Sequence, residues 1–168
     1  MRGFTLIELM TALVIVGIAV AIVVPRLVRD DRDVLAQEAA RLALLLEQAR
    51  DEAVASGRPI AWSSQGAVNG FWTVGAGGDW EKIAGDEVFR DRSLAEGVRI
   101  ARLTLNRVSV APNTRIVFTP AGTSAPFTLT LEMRGEGIAV VGDALGRIAV
   151  ESPGGEGRAL SRASEMNA

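Results

Sequence analysis

Phe4-Thr5-Leu6-Ile7-Glu8-Leu9-Met10, behind the short polar leader Met1-Arg2-Gly3 and ahead of an uncharged run to Val24, decides how this chain is built. A helix of about twenty apolar residues is long enough to cross a bilayer. This run carries a carboxylate, Glu8, within its first turns. An ionisable side chain in hydrocarbon costs roughly 2.5–3.5 kcal/mol on insertion scales and is by default a sign of function. Glu8 therefore calls for a partner that offsets that cost.

Two plainer readings compete. A secretory signal peptide accounts for Arg2, the apolar stretch and the small residues Ala19-Val20-Ala21 at a cleavage position. It accounts neither for Glu8 nor for the apolar run continuing through Ile22, Val23 and Val24. A simple membrane anchor explains the length and leaves the acid unexplained.

Gly3-Phe4-Thr5-Leu6-Ile7-Glu8-Leu9 resembles the class III signal of type IV pilins and type II secretion pseudopilins. The resemblance implies that a prepilin peptidase cuts between Gly3 and Phe4 on the cytoplasmic side and methylates Phe4. It also implies that Glu8 is the acid shared by the family. The chemistry fits the spacing. Cleavage creates a cationic α-amine at the membrane edge, and pairing it with a carboxylate offsets the burial of both charges. The same helix can pair its own amine with Glu8 one turn along; the resemblance implies a contact between chains, which sets axial register as a subunit joins a filament.

Composition suits a tethered, exported domain. The 168 residues leave room for one anchor helix and one domain of roughly a hundred residues. A net charge of −2 advertises no affinity for nucleic acid or anionic lipid. There is no cysteine, hence no disulfide and no thiolate metal site. There is no histidine either, which removes the usual general base and the commonest metal ligand. Arg2 at one end of the apolar run is nearly balanced by Arg26 and Arg29 at the other, themselves diluted by Asp30, Asp31 and Asp33. Charge bias alone does not orient the helix; a cytoplasmic N-terminus is what the resemblance implies.

Beyond a possible kink at Pro25, a second helical stretch is expected over 29–56. Leu35, Leu42, Leu46, Ala49 and Ala53 form one apolar stripe, with Arg32, Glu38, Arg41, Glu47, Arg50 and Asp51 on the other faces. Glu38–Arg41 and Glu47–Arg50 are spaced to pair weakly, and Gly57 with Pro59 supplies a stop. Short strands then follow: Ile60–Trp62, Phe71–Val74, Trp80–Ile83, Val88–Phe89, Val98–Leu105, Arg115–Thr119, Phe127–Met133, Ile138–Val141 and Arg147–Val150. Turns are expected at Gln65-Gly66, Gly75–Asp79, Gly135-Glu136-Gly137 and Asp143–Gly146. The polar, glycine-rich tail from Ser152 carries too few apolar residues to pack.

This second region, with Glu38-Ala39-Ala40-Arg41-Leu42, Ala49-Arg50-Asp51-Glu52-Ala53, Gly57-Arg58-Pro59-Ile60, Phe118-Thr119-Pro120-Ala121-Gly122 and Gly146-Arg147, resembles the GspH/FimT group of minor pseudopilins and minor pilins. The resemblance implies an α+β, pilin-like fold, with a long N-terminal helix packed on antiparallel sheets. The expected division is a leader over 1–3, a transmembrane assembly helix over 4–28, its amphipathic continuation over 29–56, a periplasmic β-rich domain over 57–151 and an unstructured tail over 152–168. In the secretion branch such a subunit sits near the tip of a periplasmic pseudopilus that drives folded proteins through an outer-membrane channel. In the alternative, FimT-like branch it primes type IV pili or assists DNA uptake through an arginine-rich stretch, of which Gly146-Arg147-Ile148-Ala149 lacks the second arginine. Arg99, Arg102, Arg107, Arg115 and Arg134 are the remaining candidates for a basic face.

Partners implied by the secretion branch are other pseudopilins, the prepilin peptidase and the inner-membrane assembly platform, with the secreted cargo or the outer-membrane channel as further candidates. Nucleic acid is not expected. Nor is catalysis, since no nucleophile elbow, phosphate loop or metal-ligand spacing is present, and no cofactor is implied. Asp79 and Asp86-Glu87 read as solvated loop acids before they read as a calcium site. Trp62, Trp72 and Trp80 read as core and hairpin packing before they read as stacking platforms.

Overall fold

The computed structural model describes residues 6–27 and 31–151, and of residues 19–27 the backbone alone. The chain divides after Asp30 into two compact units. The first is helix α1 (Leu6–Leu27), which runs through Pro25 without ending there. Among the described residues no helix is long and apolar enough to cross a membrane. The described side chains of α1 stop at Ile18, which at about 1.5 Å per residue falls short of a hydrocarbon core of about 30 Å.

The second unit opens with α2 (Asp31–Ser56). Asp31 and Asp33 in its first turn complement the helix dipole. Gly57, at φ +65°, ends it in the left-handed conformation that favours glycine. The expected stripe is the buried one: Leu35, Leu42, Leu46, Ala49 and Ala53 face inward, joined by Ala39 and Ala43. Small and large side chains alternate along that face, so the backbone of α2 lies close against strands of both sheets.

The first sheet is antiparallel, in the order β3 (Trp80–Lys82), β2 (Val68–Val74), β1 (Ile60–Gln65), β7 (Ile116–Phe118), with β4 (Arg92–Ser93) also pairing β2. The second has the order β10 (Ile148–Glu151), β9 (Glu136–Gly142), β8 (Phe127–Met133), β5 (Arg99–Leu105), β6 (Val108–Val110). One core joins α2 to both: Trp62, Phe71, Ile116 and Phe118 from the first sheet, and Leu103, Leu129, Leu131 and Val140 from the second. β8 alternates as its sequence predicts, with Phe127, Leu129, Leu131 and Met133 inward. A bulge between Ile100 and Arg102 resets the phase of β5, so that Ile100 and Leu103, three apart, both reach the core. The Phe127 ring lies over its cross-strand partner Gly142, in space that any Cβ there would need.

Several expectations need correction. Val88–Phe89 is not a strand: the Asp86 carboxylate accepts hydrogen bonds from the amides of Val88 and Phe89, curling the chain so that Phe89 packs on Phe71 at 5.1 Å. β4 and β6 lay below the length at which alternation can be read. The turn after β1 falls at Gly66-Ala67, one residue later than expected. The β8–β9 turn is Arg134-Gly135, so Glu136 and Gly137 belong to β9. The Gly75–Asp79 loop does form a hairpin, closed by Gly75 N–H donating to Asp79 O at 2.9 Å. Leader and tail lie outside the described residues.

Candidate assembly site

Gly3 and Phe4, the expected processing residues, lie outside the described residues. Glu8, in the first turn of α1, is described and exposed. Around it the helix surface is apolar on every side: Leu6, Ile7, Leu9, Met10, Leu13, Val14, Ile15, Val16 and Ile18 are each more than half exposed. Thr11, the one hydroxyl among the described residues of α1, donates to Ile7 O at 2.8 Å and is satisfied within the helix. Glu8 thus stands as a single carboxylate on an otherwise apolar cylinder, at the helix end where the dipole favours an anion. Among the described residues it has no cationic partner.

Several ionic groups of the second unit pair within it. Glu38, expected on a solvent face, is only 6% exposed. It accepts from Arg41, whose guanidinium also donates to Ser93 O at 3.1 Å and so ties α2 to β4. The expected Glu47–Arg50 pair does not form. Arg50 donates instead to Asp51 and, at 2.9 Å, to Gly146 O. Two further pairs link the start of α2 to the β8–β9 hairpin, Arg32–Glu136 at 3.0 Å and Arg134–Asp31 at 3.5 Å. Asp143 accepts from the Arg147 amide and side chain and from the Leu145 amide, which holds its carboxyl below the usual aspartate range and fixes the loop before β10.

No basic face gathers the candidate arginines. Arg99 pairs with Glu132 at 2.8 Å, Arg134 with Asp31, and Arg147 with Asp143 at 2.7 Å. Arg102 lies on the second sheet, Arg107 in the β5–β6 turn, and Arg115 before β7 on the first sheet. No group of acids able to hold a metal occurs among the described residues. Of the tryptophans, Trp62 is fully buried, whereas Trp72 and Trp80 lie half-buried beside Arg115. That outward pairing was missed; its signal is the alternation that places Trp72 opposite in phase to Phe71.

The family profile described as type II transport protein GspH matches residues 38–146, and the prokaryotic N-terminal methylation motif matches residues 1–24. No curated protein matches significantly. Among solved structures, the minor pseudopilin EpsH from the type 2 secretion system of Vibrio cholerae is similar at 21% identity and TM-score 0.60, over 71% of this chain and 98% of that one. Escherichia coli GspH is similar at 20% identity and TM-score 0.58, over 71% and 89%. The type IV minor pilin FimU of Pseudomonas aeruginosa is similar at 23% and 0.53, over 72% and 90%. At these identities the structures speak for the fold, a helix on antiparallel sheets. The GspH profile covers well over half of the chain, the methylation motif precedes it, and the chain belongs to the GspH family of type II transport proteins.

Proposed function

We propose that this chain, a minor pseudopilin of type II protein secretion, is cut between Gly3 and Phe4 and then joins a periplasmic pseudopilus near its tip. It reaches that place from the inner membrane, with its N-terminus cytoplasmic and the unit from Asp31 onward periplasmic. Phe4 carries the methylated α-amine, and Glu8 pairs with the amine of a neighbouring subunit. The role is structural: α1 supplies packing surface, and the domain is carried outward with the filament. The prepilin peptidase and the assembly platform act on the chain rather than through it.

The observation that carries this reading is Glu8, a carboxylate without a cationic partner among the described residues on a helix surface otherwise suited to lipid or to other helices. A charge so placed is retained only where assembly neutralises it. Gly3→Ala in cells that hold the secretion machinery tests the processing step. The variant is expected to accumulate as uncut precursor; mature protein with methylated Phe4, read by mass spectrometry, refutes it.

A further inference from the structure

The outward face of the second sheet is complementary to itself. Leu103, Leu129 and Val140 point into the core, so the residues alternating with them on β5, β8 and β9 point outward. One outward row crosses four neighbouring strands as Thr104, Thr128, Val141 and Ala149. The next crosses the same strands as Arg102, Thr130, Ala139 and Glu151. None of these side chains is buried. Apart from the two end charges they are short and uncharged, where a sheet facing water ordinarily alternates to polar residues. Short and β-branched side chains have little rotamer freedom to lose when another surface covers them.

The charges on this face are unevenly placed. Arg99 and Glu132, one row further along, pair with each other at 2.8 Å. Arg102 and Glu151 stand at opposite ends of their row, with no ion pair among the described residues. Neighbouring strands lie about 4.8 Å apart, so the backbones bearing these two charges are about 14 Å from each other within one chain. A twofold axis running along the strands, between β8 and β9, brings two such faces together with the row reversed. Arg102 then faces Glu151 of the second copy, twice by symmetry. Thr130 faces Ala139, Thr128 faces Val141 and Thr104 faces Ala149, short against short throughout. Packed sheets lie about 10 Å apart, a gap that an arginine and a glutamate reaching from opposite sides close between them.

We propose that two copies of this chain pair through the outward face of the second sheet, Arg102 of each meeting Glu151 of the other. An axis along the strands leaves both copies pointing the same way. Arg32–Glu136 and Arg134–Asp31 tie the start of α2 to the β8–β9 turn, so Asp31 lies at the same end of the pair in each copy. Two chains entering from one membrane meet that condition. The four strands span only about 15 Å, and so small a contact falls below the roughly 800 Å² per partner of a standard interface. It therefore joins chains already confined to a shared surface. Neither Glu8 nor α1 takes part in it.

The test uses the full mature chain in phosphatidylcholine vesicles and a short bismaleimide linker. The chain has no cysteine, so Thr130→Cys places a single thiol beside the axis, and Gln48→Cys places one on the exposed surface of α2 as the measure of chance collision. Thr130→Cys is expected to give crosslinked dimer well above the Gln48→Cys level. Added to Thr130→Cys, Arg102→Glu or Glu151→Arg sets like charges against each other at two places and should lower the yield about fivefold or more. The two together restore opposite charges and should restore the yield. Thermal melts establish which variants are folded. Glu151 ends the edge strand β10, so Glu151→Arg alone decides the matter if a variant with Arg102→Glu does not fold. In cells that hold the secretion machinery, the Thr130→Cys product should have twice the mass of the chain. Dimer no more abundant than with Gln48→Cys, an unchanged yield in a folded single-charge variant, no recovery in the folded double variant, or a cellular product joined only to a different protein each overturns the proposal.

Discussion

Helices α1 and α2 are of similar length, 22 and 26 residues, and dispose of a glutamate in opposite ways. Glu38 sits on α2 almost fully buried, and the chain provides its cation, Arg41, one turn further on. Glu8 sits on α1 among exposed apolar side chains with no cation among the described residues. The same contrast holds for hydrocarbon. The apolar stripe of α2 is covered by both sheets, whereas α1 shows apolar side chains on all sides. One helix is completed by its own domain; the other, on the function proposed above, is completed by assembly.

Breaking the domain alone gives the largest expected effect. Trp62→Ala empties the centre of the core and should cost about 3–5 kcal/mol, a large share of a typical total of about 5–15 kcal/mol. Denaturant titration of the full chain measures it. Processing at the N-terminus should persist, and a variant that is both unfolded and uncut breaks the separation drawn here. Glu8→Ala attacks the other helix. It should leave domain stability unchanged and lower recovery in sheared pseudopili at least about tenfold, equivalent to about 1.4 kcal/mol; normal recovery removes the proposed role of Glu8.

Glu38→Ala sharpens the comparison from inside. Arg41 keeps its bond to Ser93 O and some contact with water, so the loss should be about 1–2 kcal/mol. A thermal melt should show a drop of several degrees, with incorporation into pseudopili unaffected. The smallest effect is expected at Asp143. Its carboxyl is held below the ordinary aspartate value by the Arg147 amide and guanidinium. Its contribution is therefore present above about pH 4, the unfolded aspartate range, and is lost as pH falls through the lowered native value. Loss of protection at the Leu145 and Arg147 amides on acidification, measured against the intrinsic exchange rate at each pH and absent in Asp143→Ala, is the expected sign.

Much of this contrast was legible in the residues. The run from Leu6 to Val24 with its single acid, the inward stripe of α2 and the alternation of β8 are periodic over enough residues to be read directly. What stayed hidden depends on partners distant in sequence. Glu38 looks like a solvent residue until β4, itself two residues long, places the Ser93 carbonyl above Arg41. Arg50 looks like a helix-surface ion pair until the Gly146 loop returns to it. Phe89 looks like strand because a buried phenylalanine in a bend held by Asp86 leaves the same local pattern. Arg115 looks like one cation among several until Trp72 is seen lying across β1 beneath it.

The sheet borders carry a consequence for crowding. The outermost strands β3, β6 and β7 are three residues long and β10 is four, against six or seven for β1, β2, β5, β8 and β9. Long open margins invite neighbouring copies to stitch together through their backbones, and clipped ones do not. Domains massed side by side on a common stalk would then slide past one another without fusing, leaving their spacing to be dictated by the rods beneath.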